Sequence, residues 1–187
     1  MKRIDAIIEI AAKAKESDAM LVGNIGIPCR ELHSVCDTPG NFYMLGSMGL
    51  ASSIGLGLAL TRPDKKVIAI EGDGSVLMNM GSLATIASHD LHNYLLVIVD
   101  NGSYGSTGNQ PTATSMNTDL AAIAKGAGNR QVSVVDTPGD LRKILQTMDN
   151  GIIVVKAEPG NSTAPVITMG PEEILKRFMD ISSRPSH

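Results

Sequence analysis

The sequence predicts an α/β domain of three layers, in which helices cover both faces of a mostly parallel sheet. Short runs of Val, Ile and Leu alternate along the chain with segments of helical periodicity. These runs are continuously apolar, as in strands that are buried on both faces. The 187 residues, 43% hydrophobic but only 3% aromatic, are enough for one domain with an aliphatic core, and we expect a single domain over residues 1–187.

Six segments show helical periodicity or helix-start signals. In the first, Ile4, Ile7, Ile8 and Ala11 share one face of an amphipathic helix. The segment 47–60 is rich in glycine and alanine, which predicts a helix packed closely against its neighbours. The later predicted helices span residues 76–88, 118–126, 141–148 and 171–181.

Five short apolar runs predict strands, each bounded by turn-forming residues. The predicted strands are residues 20–22, 66–71, 94–99, 132–135 and 151–157. Residues 24–45 are expected to be irregular, because Pro28, Pro39 and Gly40 interrupt them. Residues 101–110 are expected to form a polar loop.

Composition and charge disfavour several classes of protein. With 16 Lys and Arg against 19 Asp and Glu, the net charge of −3 does not suit a nucleic-acid binder that depends on a basic surface. No apolar run is long enough to span a membrane, and the charged first residues lack the apolar block of a secretion signal. Cys29 and Cys36 lack metal-site spacing, so we expect reduced thiols in a cytoplasmic protein.

Polar residues follow two of the predicted strands. Ligands of parallel sheets bind beyond the carboxyl ends of the strands. If the two strands are neighbours, about 4.8 Å apart, Asp73 and Asn101 can reach a common point. A carboxylate and a carboxamide oxygen suit Mg²⁺ or Ca²⁺, and a phosphate of the ligand would supply the remaining negative charge. Gly74 and Ser75 precede a predicted helix, whose free N–H groups can hold that phosphate.

Two other interpretations of Gly72-Asp73-Gly74 stay open at this point. An aspartate after a strand can be a turn or helix-capping residue without any ligand. The chain can also be a non-catalytic module that binds a nucleotide or a phosphate. The segment is not a dinucleotide-binding fingerprint, since Leu77 takes the place of the third glycine, and it is not a P-loop, since no Gly-Lys-Ser/Thr follows.

A longer pattern resembles a known family. Twenty-five residues (75–99) separate Gly72-Asp73-Gly74 from Asp100-Asn101. This arrangement resembles the metal–diphosphate motif of thiamine-diphosphate enzymes, in which GDG is followed after a similar gap by, usually, Asn-Asn; here Asp100 replaces the first asparagine. The resemblance implies a diphosphate-binding (PP) domain. It also implies that Mg²⁺ binds Asp73, Asn101 and the carbonyl of Ser103, while Gly74 and Ser75 hold the diphosphate.

A second block, Gly46-Ser47-Met48-Gly49, resembles the segment of the same domain that touches the rings of the cofactor. By this resemblance the Gly46 carbonyl accepts a hydrogen bond from the cofactor's amino group, and Met48 holds the cofactor in a bent conformation. Taken alone, Met48 is better explained as a core-packing residue, and the cofactor contact is favoured only beside the Gly72-Asp73-Gly74 and Asp100-Asn101 pattern. The cofactor-binding residues implied by the resemblance are Gly46, Ser47, Met48, Gly72, Asp73, Gly74, Ser75, Asn101, Ser103, Tyr104 and Gly105.

The resemblance also implies a partner. In this family the glutamate that activates the cofactor lies in a separate pyrimidine-binding domain, and 187 residues leave no room for both domains. We therefore expect half of a split active site, with no certain catalytic residue in this chain. An alpha subunit would supply the glutamate within a hetero-oligomer.

Segments 24–32, 41–49 and 100–110 resemble the branch of the family that decarboxylates sulfopyruvate or phosphonopyruvate. The short chain is similar to the beta subunits of the sulfopyruvate enzymes, which implies conversion of sulfopyruvate to sulfoacetaldehyde and CO₂ in coenzyme M biosynthesis; the phosphonopyruvate enzymes are usually one long chain. A ferredoxin-linked oxidoreductase subunit matches less well, because the cysteines of an iron–sulfur cluster are lacking. Candidate contacts to the anionic substrate are Arg30, Ser106 and Thr107.

Overall fold

The centre of the structure is a six-stranded sheet in which every strand pair is parallel. The computed structural model describes residues 1–183. The strands are β1 (Met20–Gly23), β2 (Asn41–Tyr43), β3 (Val67–Gly72), β4 (Tyr94–Asp100), β5 (Ser103–Tyr104), β6 (Gln110–Pro111), β7 (Val132–Val135) and β8 (Gly151–Lys156). The main sheet has the order β2-β1-β3-β4-β8-β7, and β5 and β6 form a separate antiparallel pair. The predicted α/β class with a parallel sheet is confirmed.

Helices cover both faces of this sheet. They are α1 (Arg3–Glu16), α2 (Ile27–Val35), α3 (Ala51–Thr61), α4 (Asp73–Met78), α5 (Gly81–His89), α6 (Leu120–Gly126), α7 (Pro138–Thr147) and α8 (Pro171–Ser182). The start of α7 follows the expected chemistry, since the Thr137 hydroxyl accepts from the Asp140 N–H at 3.1 Å. Within residues 1–183, no helix combines the length and the apolar character that a bilayer crossing requires.

The central strand β4 shows why a continuous apolar run was the right strand signal. Leu95 and Val97 pack with the side chains of α1 and α7 on one face of the sheet. Leu96 and Ile98 point to the other face and pack with α3, α5 and α6. Successive side chains of a strand point to opposite faces, so a strand covered on both sides must be apolar at every position.

The strand order creates a crevice at the carboxyl edge of the sheet. From β1 the chain moves outward to β2 and then returns past β1 to β3, so the direction of the connections reverses between β1 and β3. Loops diverge at such a switch point and leave room for a ligand. Next to it, Gly72 of β3 pairs with Val99 of β4, as expected for neighbouring strands. Asp73 and Asn101 therefore follow adjacent strand ends.

The prediction that residues 24–45 are irregular was wrong. They contain the helix α2 and the edge strand β2. Pro28 lies in the first turn of α2, where its missing N–H has no intrahelical partner to lose, so it opens the helix instead of interrupting it. The strand β2 has only three residues, which is too short a run to be recognised by its pattern.

Two other expectations needed correction. The predicted helix 76–88 is two helices, because the backbone of Asn79 leaves the helical conformation, with φ −142° and ψ 49°; the side chain of Asn79 donates to the Gly49 carbonyl at 3.0 Å. The first of them, α4, already begins at Asp73, where a turn was expected. The predicted loop 101–110 contains the β5 strand and pairs with β6. The first difference involves a contact between segments that are distant in the sequence, whereas the second is a local antiparallel pairing within residues 103–111.

Helix α3 shows the close packing expected from its glycines, and this leads to a prediction. A Cβ at position 55 would lie 2.9 Å from Cε2 of Tyr94 and 3.0 Å from Cβ of Ala69, whereas a Cβ at position 57 meets nothing within 4 Å. We expect Gly55→Ala to lower the free energy of unfolding by about 1–3 kcal/mol through overpacking. Gly57→Ala should raise it by about 0.5–1 kcal/mol, since alanine favours the helix. Urea unfolding of both variants checks this, and equal effects would contradict it.

Candidate functional site

A cavity of about 310 Å³ lies at the carboxyl edge of the sheet, where the ends of β1, β3 and β4 meet. Most of the residues predicted to bind the cofactor line this cavity. These are Met48, Gly72, Asp73, Gly74, Ser75, Asn101, Ser103, Tyr104 and Gly105. Ser106 and Thr107, predicted to contact the substrate, line it as well. The structure thus brings together side chains from three separate parts of the chain.

Asp73 is the first residue of α4 and is only 1% exposed. Its Oδ2 accepts hydrogen bonds from the hydroxyls of Thr112 and Thr114, the latter at 2.9 Å. Burial raises the pKa of Asp73, while the two threonine hydroxyls act in the opposite direction. A buried carboxylate held in one orientation, next to a cavity, is suited to binding a cation.

Asn101 and Ser103 lie beside Asp73, and both are buried. The Asn101 Oδ1 accepts from the Ser103 N–H at 3.3 Å. The Asn101 Nδ2 and the Ser103 Oγ have no hydrogen-bond partner among residues 1–183. Because buried polar groups are nearly always paired, two unpaired groups lining one cavity indicate a polar ligand that completes them.

Gly74 allows the ring of Tyr104 to lie directly against the start of α4. A Cβ at position 74 would lie 2.8 Å from the Cδ1 of that ring and closer still to its Cε1. The next residue, Ser75, is fully buried, and its Oγ accepts from the Asn24 Nδ2 at 2.7 Å. Asn24 was not predicted as a site residue, although its position after the first strand was a usable signal.

The segment 46–49 reaches the cavity only in part. Met48 lines the cavity and is half-buried, whereas Gly46 and Ser47 are exposed and lie outside the cavity wall. Gly49 adopts a φ of 89°, and a Cβ there would lie 2.6 Å from the Ser75 carbonyl oxygen. Only glycine tolerates both conditions, so this position presses the segment against α4.

Two of the three residues predicted to contact the substrate line the cavity, and the third does not. Ser106 and Thr107 belong to the short 3₁₀ turn Gly105–Thr107 and line the cavity. Arg30 lies on α2, is half-buried and does not line the cavity. The structure therefore does not bring Arg30 together with the other candidate residues.

Another residue that was not predicted, Glu71, connects β3 to α3 beside the site. It is 1% exposed, and its Oε1 accepts from the backbone N–H of Ser52 at 3.0 Å in the first turn of α3. Burial raises the pKa of Glu71 to about 7, with the backbone amides of Ser52 and Ala51 acting in the opposite direction. The bond ties the end of β3, next to Asp73, to the helix that follows segment 46–49.

The part of the chain that forms most of this cavity matches the model of a known family. Residues 22–157 match the model "Thiamine pyrophosphate enzyme, C-terminal TPP binding domain". The chain belongs to the thiamine pyrophosphate enzyme family. The matched residues include the ends of β1, β3 and β4, which form the cavity.

Two members of the family with similar sequences are named as decarboxylases. The chain is 48% identical to the sulfopyruvate decarboxylase subunit beta of Methanocaldococcus jannaschii over 186 residues, which is 98% of each chain. It is 38% identical to a phosphonopyruvate decarboxylase of Streptomyces viridochromogenes, and that match covers 98% of this chain but 47% of the relative. A solved structure of a thiamin diphosphate-dependent enzyme from Mycobacterium smegmatis shares the fold, with a TM-score of 0.67 and 24% identity. That match covers 85% of this chain and 32% of the larger one.

The residues of the cavity fit the cofactor of the family. The Asp73 carboxylate and the Asn101 amide oxygen are hard oxygen ligands of the kind that Mg²⁺ prefers. The unpaired Asn101 Nδ2 and Ser103 Oγ are free to interact with an anionic group. Among residues 1–183, Asp73 is the single carboxylate in the cavity wall, so a bound dication would need further negative charge, which a diphosphate carries.

Proposed function

We propose that this chain is the beta subunit of a sulfopyruvate decarboxylase. With an alpha subunit, in a cytoplasmic hetero-oligomer, it would convert 3-sulfopyruvate to sulfoacetaldehyde and CO₂ within coenzyme M biosynthesis. The observation that carries this proposal is the 48% identity to a protein of that name over 98% of both chains. The cavity at the ends of β1, β3 and β4 supports it, because it gathers the polar groups that a metal–diphosphate complex needs.

The cavity residues divide into metal ligands and diphosphate contacts. Asp73, Asn101 and the carbonyl of Ser103 would hold Mg²⁺. The N–H groups of Gly74 and Ser75 at the start of α4 would bind the diphosphate oxygens. Thiamine diphosphate, when bound, supplies the nucleophile and the electron sink that decarboxylation of a 2-oxoacid requires.

The remaining cavity residues would orient the cofactor and exclude water. Met48 contributes an apolar side chain to the cavity wall, together with Leu45 and Ile25. Gly46 lies outside the cavity wall but close to Met48 in the chain, and its exposed backbone carbonyl would accept a hydrogen bond from the cofactor. Ser106 and Thr107 would contact the anionic end of the substrate, since both residues line the cavity. The Thr107 hydroxyl donates to the Gln110 Oε1 at 2.9 Å in this structure and would turn toward the substrate on binding.

An exposed apolar patch beside the cavity supports the need for a partner. We call it the rim patch; it consists of Leu45, Leu50, Ile54, Met78 and Met80. Leu45 is 60% exposed and Met78 is 65% exposed. The patch residues in segment 45–54 lie next to those in segment 78–80, because Asn79 donates to the Gly49 carbonyl at 3.0 Å. An apolar surface of this kind next to an incomplete site is typical of a protein interface.

Co-expression with the alpha subunit tests the proposal. We expect a stable complex that releases CO₂ from sulfopyruvate faster than from phosphonopyruvate or pyruvate, and only with thiamine diphosphate and Mg²⁺. The isolated chain should be inactive, because the activating glutamate would come from the partner. Turnover by the isolated chain would refute the subunit role. A preference for phosphonopyruvate would instead support the second candidate function, which the 38% identity to a phosphonopyruvate decarboxylase favours.

A variant pair makes the partner interaction testable in the same experiment. Ile54→Lys places a charge in the rim patch and should prevent complex formation in size-exclusion chromatography. Val134→Lys is the matched control: Val134 is 51% exposed, but it lies on the edge strand β7, away from the cavity. Loss of the complex in both variants, or in neither, would argue against the rim patch as the interface.

A further inference from the structure

An acidic residue and a lysine lie directly behind the proposed metal site. Asp100, at the end of β4, is 4% exposed and pairs in register with Lys156 at the end of β8. The Lys156 Nζ lies 2.5 Å from the Asp100 Oδ2. Neither residue lines the cavity, so the ion pair does not touch a ligand bound there.

A single hydroxyl connects this ion pair to Asp73. The Thr114 Oγ1 lies 2.7 Å from the Asp100 Oδ1 and 2.9 Å from the Asp73 Oδ2. Its one proton can be donated to only one of the two carboxylates at a time. The orientation of the Asp73 carboxylate and the charge of Asp100 are therefore linked through Thr114.

The charges around this hydroxyl have a direct consequence for cation binding. Asp73 and Asp100 would together present two negative charges, which would attract a dication strongly and repel a diphosphate. The lysine cancels one of them. The cavity wall then carries one carboxylate without a cationic partner, since the Arg3 guanidinium of the wall is paired with Glu31, and a dication bound there still requires charge from the diphosphate.

We propose that Lys156 is a positioning residue that neutralises Asp100 and so makes cation binding at Asp73 depend on the diphosphate. This inference rests on the proposed function, because it assumes that thiamine diphosphate and Mg²⁺ occupy the cavity. It also explains how the chain accommodates Asp100 where the motif usually has asparagine. The additional negative charge of Asp100 is neutralised by Lys156 on the neighbouring strand.

The proposal predicts opposite changes in two affinities. In the complex of both subunits, Lys156→Met should weaken the binding of thiamine diphosphate at saturating Mg²⁺ by about 10-fold, within the usual range for residues behind metal ligands. The same variant should bind Mn²⁺ in the absence of cofactor more tightly than the unchanged complex, by a similar factor. Calorimetry measures the first affinity and electron paramagnetic resonance of free Mn²⁺ the second.

Two further variants separate charge from structure. Lys156→Arg keeps the charge and should leave both affinities within about threefold of the unchanged complex, since either cation neutralises Asp100. The double variant Asp100→Asn/Lys156→Met removes both charges and should restore both affinities. Weakening of both affinities in Lys156→Met, or no rescue in the double variant, would overturn the proposal. Absence of Mg²⁺-dependent cofactor binding in the unchanged complex would refute the proposed function, whereas the Mn²⁺ measurement would still test the ion pair.

Discussion

Replacing Asp73 with asparagine is expected to abolish Mg²⁺-dependent binding of thiamine diphosphate to the complex. Asp73 is the single carboxylate that the described part of the chain contributes to the cavity wall, so the variant removes the negative charge that faces the cation there. We expect the affinity for the cofactor at saturating Mg²⁺ to fall by about 100-fold or more, beyond the range seen for residues behind metal ligands. Isothermal titration of the complex with thiamine diphosphate measures this loss.

The stability of the same variant distinguishes a ligand from a structural residue. Burial raises the pKa of Asp73, so its charged form is the unfavourable one in the folded protein. The folded state then holds the proton of Asp73 more tightly than the unfolded state does. The free energy of unfolding therefore falls as the pH rises from the ordinary pKa of an aspartate through the raised pKa of Asp73. Asp73→Asn removes the charge, so its unfolding midpoint at pH 8 should equal or exceed that of the unchanged chain. A large drop in stability would indicate that the residue mainly supports the fold.

An aspartate outside the site provides the control for this prediction. Asp149 pairs with Lys13 at 2.8 Å and with Lys66 at 2.6 Å, and it is not part of the cavity wall. Asp149→Asn should leave cofactor binding unchanged. If it weakens binding as much as Asp73→Asn does, the loss reflects a general effect of the substitution.

The largest loss of stability is expected for Arg3→Met. Arg3 and Glu31 form a buried bidentate ion pair, with the Arg3 Nε 2.8 Å from Oε2 and the Nη2 3.0 Å from Oε1. The Glu31 side chain is 1% exposed, so removal of the arginine leaves a buried carboxylate without its counter-charge. Breaking such a pair from one side costs about 3–5 kcal/mol of unfolding free energy. Urea unfolding at pH 7 measures the difference.

Two comparisons show whether this loss comes from the unpaired charge. The double variant Arg3→Met/Glu31→Leu removes both charges and should recover most of the stability. Arg130→Met breaks a contact of 3.9 Å with Asp90 in which both side chains are largely exposed, and it should cost less than about 1 kcal/mol. A double variant as unstable as Arg3→Met would show that the arginine contributes mainly through packing.

The fold class could be predicted because its signals are local. A strand covered on both faces must be apolar throughout, so β3, β4 and β8 were recognisable as uninterrupted runs. Pro28 shows where this reasoning ends. A proline either breaks a helix or opens one, and the choice depends on the residues against which the following turn packs. In this structure Leu32 of α2 is fully buried in the core, which favours the helix.

Some residues of the candidate site could likewise be predicted from the sequence, and others could not. Asp73 and Asn101 could be found because each follows the end of a strand, and the spacing between them corresponds to a helix pair and one strand of ordinary length. Thr112 and Thr114 could not, since a threonine in a loop has no distinguishing pattern. Their role depends on the antiparallel pairing of β5 and β6, which carries this loop back to the end of β3.

The sequence by itself determined the layers of this protein and the family to which it belongs, and it predicted the two side chains, Asp73 and Asn101, on which the candidate site is built. These depend on periodicity, on turn chemistry and on a motif, all of which are properties of short segments. Only the tertiary structure decided which groups surround Asp73, that Arg30 lies apart from the cavity, and that Lys156 lies behind Asp100. Such contacts join residues that are far apart along the chain, and the packing of strands and helices selects them.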